Sequence, residues 1–346
     1  KEGSGSVGYS WGPKGNVQDD VTTGINIWGK SDGGVRLNAF YRYSFDRNDL
    51  RLGYSVGMWY YDHDGTPVVL NDYNTHCNKW SKFWTEAGNA QGKESAGNTG
   101  INFPYMRYAD VLLMYAEAVN ELEGGVTGPN GAKAIEAFKQ VRNRAFAFED
   151  RSEKVDAYIA ANTSKDDFFK MMNERKWEFG GENMRWKDLV RWNKYSEVVR
   201  DVFYEYYGMA SYVGGDNTYN DEDQFSSIPL QLFWQVVPNP NNVDMYPNKT
   251  LNILDFYNLW GIATNPGTPW QMAEMCQWYD DGASAPKAQC RYSLRGYIQA
   301  DEFGNITPDL FGVPVENLPV VRYILPFPAS VIQRSAGAYQ NYYGYN

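Results

Sequence analysis

The sequence predicts a mainly α-helical fold, with tetratricopeptide-like helical hairpins set among long loops and small β elements. Three observations carry this reading. Two stretches, 103–148 and 164–203, show apolar residues at helical spacing with glycine breaks between them. The rest of the chain is rich in Gly, Asn, Asp and Pro turn signals around short alternating apolar pieces such as GVRLNAFYRYSF and RLGYSVGMWYYD. No run of about 18 apolar residues occurs, so no segment reads as a membrane-spanning helix.

The first helix is read in residues 103–123. Tyr108, Leu112, Tyr115, Ala116, Val119 and Leu122 recur at offsets of 4, 7, 8, 11 and 14, one face of an amphipathic helix. Pro104 suits a first turn, and Gly124-Gly125 ends the helix. Residues 131–148 repeat the pattern, with Ala134, Phe138, Val141, Ala145 and Phe148 at 0, 4, 7, 11 and 14. The link is short, so the pair should form an antiparallel hairpin.

A second pair follows. Ser164 with Asp167 resembles a capping box, and the helix runs through Phe168, Met172 and Lys176 to about Phe179. Gly180-Gly181 breaks it, and residues 183–203 resume with Trp186, Leu189, Val190, Val198, Val199 and Val202. The helix starts near 103 and 164 lie about 60 residues apart rather than about 34, so 149–163 reads as an inserted loop.

Residues 103–203 are thus the helical-hairpin core of one domain spanning 1–346, and 1–102 and 204–320 are loop-rich regions facing ligand or partner. A short helix is expected to begin near Pro328 or Ala329. Two hairpins leave an apolar helical face without a partner. Residues before Lys1, or a second chain, are expected to cover the 103–123 helix. The N-terminal KEGSGSVGYSWGPKGN has no charged stretch followed by an apolar one, and it reads as the inside of a protein.

Composition narrows the function classes. The chain has 346 residues and 32 Lys+Arg against 42 Asp+Glu, a net charge of −10 that argues against a nucleic-acid binder. Two histidines and three cysteines, without C-x-x-C or H-E-x-x-H, exclude most zinc sites. Cys276 and Cys290, 14 positions apart, fit a disulfide or two buried thiols equally. Neither Asp62 with Asp64 nor Asp221-Glu222-Asp223 implies a glycosidase pair, and no G-x-S-x-G elbow or phosphate loop is present. No enzyme is expected, and no cofactor. The loop GGDNTYNDEDQ (214–224) offers oxygen ligands for calcium, or is a solvated acidic loop.

Four blocks carry a family resemblance: FPYMRYADVLLMYAEAVNE, AIEAFKQVRNRAF, MMNERKWEFGGENMRWKDLVRW and YILPFPASVI…YQNYYGY. In this order the chain resembles the SusD/RagB family of nutrient-binding lipoproteins on the outer-membrane surface of Bacteroidota. The blocks cover roughly 100–195 and 320–346, and the resemblance implies the C-terminal two-thirds of such a protein. It further implies a SusD-like fold, glycan capture without catalysis and a SusC-like TonB-dependent transporter as partner. The implied location is the extracellular face of the outer membrane, held by an N-terminal lipid. Peptide uptake, which some relatives perform, is the competing function. Within the blocks, Arg107, Asp110, Glu174, Arg175, Glu178, Arg185, Asp188 and Arg191 read as interhelical ion pairs and caps rather than a ligand site.

The aromatic excess points to the ligand. The 27 Tyr and 12 Trp are either mortar in a loop-rich fold or rings shown to water. A sugar ring stacks its C–H face on an aromatic ring, while neighbouring polar groups bond its hydroxyls. Trp59, Tyr60 and Tyr61, with Trp28 and Trp11, are the candidate platform, beside Asp62, His63, Asn71 and Asp72. Three successive aromatics on a strand must face both ways. Trp234, Trp260, Trp270 and Trp278 form a second set. The Trp and Tyr content favours glycans over peptides.

Overall fold

The computed structural model describes residues 7–14, 31–61, 67–70, 75–81, 101–202, 231–238, 252–257, 265–274, 329–336 and 338. The chain divides into two compact units, 1–185 with 228–276, and 186–227 with 277–346. The described residues are mainly helical and hold three small sheets. Among them no helix is long and apolar enough to cross a membrane.

In the first unit the helices Tyr108–Glu123 and Gly131–Arg142 pack along each other as the predicted hairpin. The first of them also touches Lys165–Met171 and Glu174–Phe179. It ends as expected, with Gly124 in the left-handed region at φ 70°. It starts later than expected, at Tyr108, because residues 101–107 form an extended lead-in and Arg107 is held by Glu178 and Glu182.

The buried stripe of this helix is rotated from the predicted one. Ala109, Leu113, Ala116, Val119 and Asn120 are buried, whereas Tyr108, Tyr115 and Leu122 are exposed and Leu112 is half-buried. Small Ala109 and Ala116 let neighbouring helices approach. Asp110 is buried on the same side, 2.7 Å from Arg175. Ala116 and Val119 of the predicted face are buried, whereas its large residues Tyr108, Tyr115 and Leu122 lie beside the buried stripe.

In the second helix Ala134, Phe138, Val141 and Ala145 are buried as predicted, and Phe138 meets Phe168 with ring centroids 5.6 Å apart. Phe148 departs from the pattern. The helix ends at Arg142, a 3-10 turn follows, and Phe148 is exposed. Residues 149–163 are not a loop. They hold a 3-10 turn at Phe148–Asp150, a π-helical turn at Ser152–Ala157 and a further turn at Tyr158–Ala160. Val155 and Ile159 are buried there. Arg142 organises the segment, since its Nε donates to the Lys154 carbonyl at 2.7 Å and its guanidinium lies 4.0 Å from the Tyr158 ring centre.

Ser164 caps the next helix, accepting the Asp167 N–H at 3.3 Å. Asp is too short to reach back along the chain as Glu would, and its carboxylate instead accepts a hydrogen bond from the Ser164 hydroxyl at 2.6 Å. That bond and Lys170 hold the Asp167 carboxyl below its ordinary range.

The loop-rich part forms antiparallel pairs. β1 (Val56–Gly57) pairs with β4 (His76–Cys77), and β2 (Trp59–Tyr61) pairs with β3 (Pro67–Val69). β5 (Gln231–Pro238) lies between β6 (Asn252–Tyr257) and β7 (Gln271–Glu274). A core of Phe45, Leu52, Val56, Met58 and Leu232 joins the β2–β3 hairpin to the three-stranded sheet. Gly180-Gly181 does more than stop a helix. A side chain on Gly180 would collide with Tyr41, and one on Gly181 with Cys77, while Trp80 Nε1 donates to the Gly181 carbonyl at 2.9 Å.

In the second unit, residues 186–202 are largely helical, with Tyr195 and Val199 buried. Arg191 pairs with Asp188 one turn back at 2.9 Å. The short helix expected near Ala329 is present at Ala329–Arg334.

Candidate functional site

One face of the three-stranded sheet packs on the core, and the other carries both buried and exposed side chains. Leu232, Phe256 and Ala273 pack against the core. Phe233 stands opposite both Tyr257 and Met272, so alternation puts these three on the other face. Phe233 is buried, and Tyr257 and Met272 above it are exposed. A turn delivers Trp270 to this face. Gly267 takes φ 81° and donates to Asn265 Oδ1 at 2.9 Å, and the Trp270 N–H returns to the Gly267 carbonyl at 2.9 Å. The Trp270 ring then meets Tyr257 edge to face, with centroids 5.3 Å apart at 61°. On the same face Gln235 Nε2 donates to Asp255 Oδ2 at 3.2 Å. Flat rings thus lie beside a half-buried amide and an exposed carboxylate.

The β2–β3 hairpin splits its aromatics. Trp59 is half-buried and packs on the core cluster. Tyr60 is half-buried on the opposite strand face, with Lys14 Nζ 5.4 Å from its ring centre. Tyr61 pairs in register with Pro67, and its side chain lies outside the described residues. Trp11 sits in an aromatic cluster, 5.8 Å from Trp80 and 5.5 Å from Phe103. Trp28, Asp62, His63, Asn71, Asp72, Trp260 and Trp278 lie outside the described residues. Trp234 is half-buried on the core face of the sheet.

A cleft of about 360 Å³ opens between the Arg51–Ser55 helix, the Asn78–Trp80 turn, the 101–107 lead-in and the end of the Glu174–Phe179 helix. Its walls combine ion pairs with the apolar surfaces of Tyr54, Trp80, Ile101 and Pro104. Arg107 donates Nε to Glu182 at 2.9 Å and Nη1 to Glu178 at 2.9 Å, while its Nη2 bonds the Glu178 carbonyl and Glu182. Lys79 Nζ bonds Glu182 at 2.8 Å and the Glu178 carbonyl at 2.5 Å. Arg51 bonds Asp49, Glu174 and Glu178. Burial raises the Glu178 carboxyl, but Arg107, Arg51 and Arg144 outweigh it and hold it below its ordinary range.

Of these groups the sequence singled out Arg107, Glu174 and Glu178 as ion-pair partners, and each is one. Arg175 meets Asp110, also as expected, and Asp188 takes Arg191 within one helix. Arg185 donates to the Asn173 amide oxygen at 3.3 Å. Arg51, Lys79 and Glu182 were missed. Arg51 lies 127 positions from Glu178, and no local pattern links residues at that separation.

The His76-Cys77 pair is not set for nucleophilic chemistry. Burial, aided by Arg36 and Lys14, pushes the His76 imidazole down to about 4, and burial pushes the Cys77 thiol up to about 11. Among the described residues no group of three or more His, Cys, Asp or Glu is placed to hold a metal. The 214–224 loop, Cys276 and Cys290 lie outside the described residues.

A family model described as the SusD family matches residues 36–345. Among curated proteins, SusD-like protein P25 of Formosa agariphila is 30% identical over 165 residues, 47% of this chain and 26% of that protein. SusD-like protein P38 of the same organism is 36% identical over 103 residues, 29% of this chain and 19% of that protein. A SusD-like protein of Bacteroides ovatus is 26% identical over 185 residues, 51% of this chain and 30% of that protein. The chain therefore spans less than a third of the length of each of these relatives in the matched region.

Proposed function

This chain belongs to the SusD family, and from that premise we propose that it captures glycans at the cell surface, without cleaving them, for delivery to a SusC-like TonB-dependent transporter. In this reading it is lipid-anchored on the extracellular face of the outer membrane. The observation that carries the glycan reading is the outward pairing of Tyr257 and Trp270 beside Gln235 and Asp255. A pyranose ring stacks its C–H face on such rings, and its hydroxyls bond the amide and carboxylate. Of the hairpin aromatics, Tyr60 and Tyr61 are assigned to the same task with Trp28 and Trp11, Tyr60 being turned away from the core face, where Trp59 instead anchors the hairpin. Polar desolvation offsets much of each contact, so affinity should be modest and built from several rings.

The test is calorimetric titration of the chain with neutral oligosaccharides and with peptides. Oligosaccharide binding that weakens in Tyr257→Ala and in Tyr60→Ala supports the reading. Binding of peptides alone would replace it with peptide uptake.

A further inference from the structure

Resting on the glycan reading, we propose that the ionic cleft between Arg51, Lys79 and Arg107 is a second subsite that takes the anionic group of an acidic sugar, a uronate carboxylate or a sulfate ester. The first reason is which charges reach water. The carboxylates of Glu178 and Glu182 are 8% and 7% exposed, whereas Arg107 is 30% and Lys79 19% exposed. Arg107 and Lys79 therefore reach further into water than the carboxylates they pair with, and an incoming ligand meets the cations first. Arg144, which also bonds Glu178, is exposed at the same carboxylate.

The second reason is the donor count. Arg107 and Arg51 each spend four of five N–H groups in the bonds above, and Lys79 spends two of three. Each cation keeps one N–H beyond those bonds. The carboxylate oxygens of Glu178 and Glu182 each already accept at least one charged donor. The cleft therefore offers donors and asks for acceptors, and charge-assisted bonds to a carboxylate or sulfate are the strongest it can make.

The third reason is shape. A cleft of about 360 Å³ falls in the range of about 300–1,000 Å³ typical of small-ligand sites. Tyr54, strongly exposed, lines it and supplies a ring for the sugar face. The local balance also runs against the whole. Arg51, Lys79, Arg107, Arg142 and Arg144 meet Asp49, Glu174, Glu178 and Glu182, five cations to four carboxylates, in a chain of net charge −10.

The experiment titrates the chain with tetragalacturonic acid, with its methyl ester and with a sulfated galactan tetrasaccharide. The expected result is that the acid, the sulfated probe or both bind, and that the ester binds about tenfold or more weakly than the acid wherever the acid binds. Added salt should erode binding of the charged probes and spare the ester. Tyr54→Ala and Lys79→Met should each weaken the charged probe about fivefold or more, with melting temperature recorded for both so that lost binding is separated from lost stability. Equal binding of acid and ester, without preference for the sulfated probe, overturns the cleft proposal and leaves the glycan reading standing. Charged-probe binding that neither variant weakens also overturns it. Binding of no oligosaccharide, charged or neutral, removes both.

Discussion

Arg142 and Glu174 form an ion pair of 2.6 Å with both side chains buried. The other Glu174 oxygen takes Arg51, also at 2.6 Å. One carboxylate therefore ties the 131–142 helix to the loop-rich region through Arg51. Such a pair contributes little over an apolar replacement, because desolvation offsets attraction, but breaking it strands charge. Glu174→Ala leaves both guanidinium groups with one fewer acceptor in a buried setting. We expect a loss of about 3–5 kcal/mol, read from urea unfolding. A loss under 1 kcal/mol would mean that water or Asp49 takes over the cations.

His76 gives a pH signature. It is buried and accepts the Lys14 N–H on Nδ1 at 3.0 Å, with Arg36 and Lys14 as the nearby charges. Its folded value of about 4 lies below the ordinary 6.5, so the unfolded chain binds the proton first. Stability is full above about pH 6.5 and falls as pH drops toward about 4, by at most ~3 kcal/mol from this group. His76→Gln keeps an acceptor but does not titrate. The stability gap between wild type and variant should shift across that window, and a gap that stays constant with pH would show that His76 does not titrate differently on folding.

The helical core was legible because its period is long and its breaks are glycines. Gly124 stops the first helix as its position implied, and Ala134, Phe138 and Val141 are buried as their spacing implied. Rotation of the first helix was legible only in part: Ala116 and Val119 of the predicted face are buried, but Tyr108, Tyr115 and Leu122, large and apolar enough to be counted with them, are exposed. The 148–160 turns were hidden for another reason: their order depends on Arg142 reaching across to Lys154 and Tyr158, a tertiary contact without local periodicity. The Tyr257–Trp270 pairing was missed for a like reason. Trp270 was in view as a loop tryptophan, but Tyr257 becomes its neighbour only through strand register.

Gly181 tests the docking of the loop-rich region on the helices. Its φ is 80°, and an added Cβ would run into the Cys77 sulfur. Gly181→Ala should cost about 1–2 kcal/mol from backbone strain alone, and more from the contact. Thermal unfolding measures the total. Pairing it with Cys77→Ala removes the sulfur, so the double variant should recover the contact part and keep the strain part. Full recovery would show that the left-handed backbone there carries no strain.

The last prediction separates rings that hold the fold from rings that hold ligand. Trp59 and Tyr257 are both aromatic residues on strands, and composition does not tell them apart. Their surroundings do. Trp59 packs on Phe45, Leu52, Val56, Met58 and Leu232 as part of one cluster. Tyr257 stands on the opposite face of the sheet whose inner residues join that cluster, exposed and touching Trp270. Trp59→Ala should therefore lower stability by about 2 kcal/mol or more, since truncating a packed ring forfeits burial and leaves a cavity. Tyr257→Ala should change stability by under ~1 kcal/mol and weaken oligosaccharide binding by about 1 kcal/mol, about fivefold in Kd. Melting temperature and calorimetric affinity, taken on both variants, give four readings. Tyr257→Ala with unchanged affinity for every oligosaccharide that the wild type binds would remove the sheet face from the binding surface. Trp59→Ala with unchanged stability and lost affinity would return that role to the hairpin, where Tyr60 is the neighbouring ring to truncate next.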